Sequence, residues 1–135
     1  MKTRLLLIED QINLAHFIAL ELRAEGYQVI VEHHAKIGLI AAQVLCPDII
    51  IMSWDLPGET ASRAYHQLRS IGNKVPIVVM TVDTKPRHVL SPELNEMVWL
   101  MKPFCMSDLF KAIDQVRHTP LFVNSPQPER MLRIG

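Results

Sequence analysis

The chain has 135 residues, 49% of them hydrophobic and 21% charged, with 14 basic side chains against 14 acidic ones. A chain this apolar and without net charge buries a core as one compact domain and is not disordered. The lack of a basic excess argues against a direct grip on nucleic-acid phosphates, and no apolar run approaches the roughly 18–20 residues that cross a bilayer.

The first element is predicted at residues 5–8, an apolar run that stops at the acids Glu9 and Asp10. From Ile12 an apolar set, Leu14, Phe17, Ile18, Leu20 and Leu22, recurs at helical spacing until Gly26, a residue suited to the left-handed helix terminus. Residues 27–31 read as a second strand, and residues 35–45 as an apolar-faced helix ended by Cys46 and Pro47. Residues 49–52 are continuously apolar, the mark of a central parallel strand covered on both faces. Residues 59–71 are predicted helical, with Ala61, Ala64, Leu68 and Ile71 facing inward. Residues 76–80 and 97–101 predict two further buried strands, separated by a stretch in which Pro86 and Pro92 allow only a broken fourth helix. Residues 104–117 give a last amphipathic helix presenting Leu109, Phe110, Ile113 and Val116.

Five strands alternating with helices imply right-handed crossovers, a parallel sheet and helices on both faces. In such sheets the functional crevice lies at the carboxyl ends of the strands. Those ends carry Glu9 and Asp10, then Ser53 to Pro57, then Thr81, then Lys102 and Pro103. After His118 the composition changes. Residues 119–129 hold three prolines and read as a linker, and residues 130–135 resume a strand-like pattern, as the start of another domain would.

Two adjacent acids, two strand-end hydroxyls and a lysine form a specific set. Together with the Leu-Pro-Gly turn at residues 56–58 and the Trp99-to-Pro103 segment, they resemble a receiver domain of a bacterial response regulator, over residues 3 to about 118. The resemblance implies a flavodoxin-like (βα)5 three-layer sandwich with a five-stranded parallel sheet of order 2-1-3-4-5. It implies a receiver at residues 1–118. The linker and tail resemble the approach to the winged-helix DNA-binding domain of the OmpR/PhoB subfamily, so DNA contact would belong to that further domain.

In such receivers the third strand ends in an aspartate that accepts a phosphoryl group from a sensor kinase. The acidic pair holds Mg²⁺, while the lysine and the switch hydroxyl bind phosphoryl oxygens. This chain has Ser53 at the acceptor position. A neutral serine forms no acyl phosphate, supplies no third negative charge, and is a poor nucleophile without a general base. No catalytic residue and no resident cofactor are expected, and Mg²⁺ binding at Glu9 and Asp10 is expected to be weak. Lys102 should pair instead with Glu9, Asp10 or the Ser53 hydroxyl. Asp55 is the one acid near enough to substitute, though a solvated loop position suits it better.

Trp99 stands where the family places its switch aromatic and reads as a fixed packing element beside Thr81, with Trp54 capping the pocket. Lys102-Pro103 matches the family's cis peptide. His33 and His34 lack partners at metal-ligand spacing and read as a surface turn. Cys46 and Cys105 give no disulfide framework; they read as small buried groups of a cytoplasmic protein. On the face that subfamily receivers use to dimerise, formed by the fourth helix, fifth strand and fifth helix, Val98 and Ala112 replace an acid and an arginine, while Asp108 and Lys111 keep their charge.

The resulting expectation is an atypical receiver that is not an enzyme, regulating transcription without aspartyl phosphorylation, through a homodimer or a regulatory protein partner. The alternatives are a conventional receiver using Asp55 or Ser53, a stand-alone adaptor, and a small α/β enzyme or nucleotide binder on the same fold. The last is opposed by the lack of a glycine-rich loop among five glycines.

Overall fold

The computed structural model describes residues 2–57, 59–82 and 97–118. The expected fourth helix, the linker at 119–129 and the segment 130–135 lie outside the described residues.

Five strands form one parallel sheet: β1 (Arg4–Ile8), β2 (Gln28–Glu32), β3 (Ile49–Ser53), β6 (Ile77–Thr81) and β7 (Val98–Met101), in the order β2-β1-β3-β6-β7. This is the predicted order, with β6 and β7 as the fourth and fifth strands of the sheet. Directly after β3 the chain adds a small antiparallel ribbon that the residue pattern does not announce, β4 (Asp55–Leu56) with β5 (Glu59–Thr60). The third helix consequently starts at Ala61, two residues later than expected.

Side chains alternate across the sheet as the strand period requires. Leu5, Leu7, Ile49, Ile51, Val78, Met80, Val98 and Leu100 meet α1 (Ile12–Ala24) and α4 (Met106–His118). Leu6, Ile8, Ile50, Met52, Ile77, Val79 and Trp99 meet α2 (Ala35–Leu45) and α3 (Ala61–Ser70). Both faces are covered, which is why β3 and β6 are buried along their whole length.

Several helix residues lie on other sides than their spacing suggested. In α1 the stripe toward the sheet is Ala15, Ile18, Ala19 and Leu22, an i, i+3, i+4, i+7 set. Phe17 and Leu20 are therefore turned out, 52% and 66% exposed. Ile71, expected inside, lies past the end of α3 in a turn and is 59% exposed. Cys46 and Cys105 are both exposed rather than buried. Cys46 terminates α2 in the left-handed conformation at φ 48°, the position glycine usually takes. Cys105 precedes α4, where its backbone N–H donates to the Asp108 carboxylate at 3.2 Å.

One glycine fixes the frame of the crevice. A Cβ on Gly38 would stand 2.5 Å from Cδ1 of Ile8, so α2 sits directly on the end of β1. That contact holds the strand whose next residue is Glu9.

Candidate functional site

The register of the sheet brings the strand ends together. Ile8 pairs with Met52, Ser53 with Met80, and Thr81 with Met101, so Glu9, Ser53, Thr81 and Lys102 follow one another across three strand boundaries. The backbone closes the row: Trp54 N–H donates to the Met80 carbonyl at 2.8 Å and Lys102 N–H to the Thr81 carbonyl at 2.7 Å. The Lys102-Pro103 bond is cis, as the resemblance implied.

Glu9 is the centre of the site and is fully buried. Its Oε1 accepts from the Ser53 hydroxyl at 2.5 Å and from the Lys102 ammonium at 2.7 Å, and its Oε2 accepts from the Gln11 backbone N–H at 2.9 Å. Lys102 Nζ also reaches Ser53 Oγ at 3.1 Å. The expected lysine pairing is therefore present, shared between Glu9 and Ser53 and not with Asp10. Ser53 and Thr81 are each buried, only 3% exposed.

The two neighbouring acids are driven in opposite directions. Burial pushes the Glu9 pKa up, but hydrogen bonds from Lys102, Ser53 and Gln11 outweigh it, and the carboxyl titrates below its ordinary range. Asp10 at the rim titrates above its ordinary range, first because of burial and then because of Glu9 beside it. Glu9 is thus a poor base, and its proton affinity does not suit it to activate a hydroxyl.

The donor set also bears on a metal. Mg²⁺ is usually held by one or two carboxylates and several waters in near-octahedral geometry. Here the Lys102 ammonium occupies Oε1 of Glu9, and three of that carboxylate's roughly four lone-pair directions are already used. Among the described residues no three His, Cys, Asp or Glu side chains form a metal-holding group. The residues present do not fit a resident Mg²⁺, because the cation of the site is Lys102.

The other expected residues divide clearly. Asp55 is exposed on the β4–β5 ribbon, opposite Thr60, and stays out of the crevice. Trp99 is buried, and its ring packs on half-buried Trp54 with centroids 5.0 Å apart, beside Ser53. Val98 and Ala112, assigned from the resemblance to an outer dimer face, are 1% and 0% exposed and belong to the core between the sheet and α4. They point inward because Val98 alternates with Trp99 along β7, which puts it on the α1–α4 side. Asp108 caps the start of α4, and Lys111 is exposed.

His33 was missed as part of this region. Its Nδ1 donates to the Glu9 carbonyl at 2.8 Å, since a carbonyl only accepts, and its ring meets His16 edge-on at 6.2 Å. Strand order held the signal: β2 neighbours β1, so the residue after β2 stands beside the residue after β1.

The comparisons with known proteins agree with this geometry. The model of the response regulator receiver domain matches residues 5–114. The chain belongs to that receiver family. The receiver is 32% identical to the DNA-binding response regulator MtrA of Mycolicibacterium smegmatis over 136 residues, covering 100% of this chain and 58% of that protein. It is 33% identical to the response regulator ArlR of Staphylococcus saprophyticus over 113 residues, 82% of this chain and 50% of the relative. It thus spans about half the length of these curated relatives. Among solved structures, the chemotaxis response regulator CheY4 of Vibrio cholerae superimposes with a TM-score of 0.78 at 24% identity, over 86% of this chain and 99% of that one. That likeness establishes the fold: a flavodoxin-like receiver sandwich. Among the described residues no helix is long and apolar enough to cross a membrane.

Proposed function

We propose that this receiver is the non-enzymatic regulatory domain of a cytoplasmic transcriptional regulator and acts without aspartyl phosphorylation, through self-association or a regulatory protein partner. The observation that carries the reading is the closed triangle of Ser53, Glu9 and Lys102. A phosphoacceptor site needs a nucleophile and unsatisfied positive charge for the arriving phosphoryl group. Here the nucleophile is a neutral hydroxyl that keeps its proton in a hydrogen bond to a weakly basic carboxylate, and the ammonium is already neutralised by Glu9. DNA binding, reported in the name of MtrA, would belong to a domain beyond this receiver. Signal output is then a shift between arrangements of the protein, driven by any partner that binds one arrangement better.

The test is intact-mass spectrometry after incubation with acetyl phosphate and Mg²⁺, with S53D run beside the native chain. The native chain should keep its mass, while S53D, which restores a carboxylate against Lys102, should gain a phosphoryl increment at residue 53. A phosphoryl adduct on Ser53 or Asp55 of the native chain would sink the reading.

A further inference from the structure

We propose that the outer face of α2 is a self-association surface, on which a second copy of this chain docks with its own α2 running antiparallel. The inference does not depend on how the crevice treats phosphate. It starts from apolar residues that the fold leaves uncovered: Ile37 is 48%, Ile40 60% and Val44 72% exposed. At about 100° per residue these three fall within an arc of about 60°, a single stripe at i, i+3 and i+7. Leu45, 37% exposed, flanks the stripe. Together they present on the order of 400 Å² of largely apolar surface, within the range of the largest patch on a monomer and about half of the roughly 800 Å² per partner in a standard interface.

The outward residues of α1 form no comparable stripe. Ile12, Phe17 and Leu20 spread over an arc of about 140° and are interrupted by exposed Asn13 and His16.

Charge selects the occupant. Lys36 is the one charged residue of α2 and sits in its first turn, where the positive end of the helix dipole opposes it. That first turn has no acid, and the last turn has no basic residue to face the free carbonyls. Antiparallel docking of two α2 helices corrects both faults at once. Lys36 of each copy comes against the carbonyl end of the other helix, and the two dipoles oppose each other favourably. The stripe carries no charge, so two copies meet without like-charge repulsion, and the contact is isologous, closing as a two-fold dimer.

Sedimentation equilibrium on the 135-residue chain, from micromolar to about millimolar, tests this directly. The expected result is a weak, reversible dimer whose Kd rises at least tenfold in I40R. The charge reversal K111E on α4 should leave that Kd unchanged. With both native cysteines replaced by serine, I40C should form a disulfide-linked dimer on mild oxidation, because residue 40 lies near the proposed two-fold axis. Circular dichroism melting of I40R confirms that an exposed substitution has not unfolded the domain. A chain that stays monomeric across the range would mean the stripe is covered by something other than a second copy, and would overturn the proposal. A dimer broken by K111E but untouched by I40R would overturn it as well.

Discussion

The crevice and the outer face of α2 solve opposite problems. At the crevice a carboxylate is buried inside an apolar frame, and the chain supplies every partner it needs from β3, β7 and the start of α1. On α2 an apolar stripe stands in water, and the chain supplies nothing to cover it among the described residues. One region is complete in itself and the other is unfinished. Under the proposed function, such a domain responds at its surface and not at its crevice.

The sharpest way to break the contrast is to remove the cation. K102M leaves Glu9 buried with no counter-charge, and breaking a buried pair from one side costs about 3–5 kcal/mol. Lys102 is 18% exposed, so water reaches the ammonium and the loss should fall at the lower end of that range. Urea denaturation of K102M, E9Q and the double variant would measure it. The double variant should be less destabilised than the sum of the two single losses, because the stranded charge is gone.

Acid titration is the next largest effect, and its sign follows from the direction of each shift. The folded pKa of Glu9 lies below its unfolded value, so its stabilising contribution is complete above the unfolded value and is lost as pH falls through the folded one. Asp10 runs the other way. Its folded pKa is raised, so its contribution favours the fold at low pH and is lost as pH rises through that raised value. Melting temperature against pH should therefore fall steeply in acid for the native chain and lose most of that fall in E9Q. D10N should raise stability near neutral pH by less than about 1 kcal/mol, since a partly exposed acid is screened by water. An acid limb unchanged in E9Q would remove Glu9 from the account.

The smallest effect belongs to α2. At concentrations where the chain is monomeric, I40R should change stability by no more than about 0.5 kcal/mol, as exposed substitutions usually do. A loss of several kcal/mol would show that the stripe is already buried against something, and the contrast would fail.

Much of the frame was legible from residue pattern. The apolar runs before Glu9, Ser53, Thr81 and Lys102 declare buried strands, and the rule that crevices form at strand ends brings those four residues together. What the pattern lacked was phase. Leu14, Phe17 and Leu20 have helical spacing, yet the docked stripe is set by which residues fit the sheet, so small Ala15 and Ala19 lie inside and Phe17 lies out. Analogy puts Val98 and Ala112 on an outer face, whereas the alternation of β7 turns Val98 into the core and the sheet-facing side of α4 carries Ala112 there. Cys46 looked like a buried group because cysteine usually is, but the end of α2 required a left-handed residue there. The contact of His33 with Glu9 needs strand order and is invisible to any local window.

The two tryptophans are the only ones in the chain, and their rings meet at a tilt of 46° beside Ser53. The tryptophan emission of this protein, excited beyond the absorption of its two tyrosines, is therefore a report from a single place. Any event that parts those rings, such as S53D taking up a phosphoryl group, should register as a change in emission or in the near-ultraviolet dichroism of a coupled indole pair. Association through α2 should leave the same signal silent. The molecule thus carries a label-free optical gauge that distinguishes a response in its crevice from one on its surface.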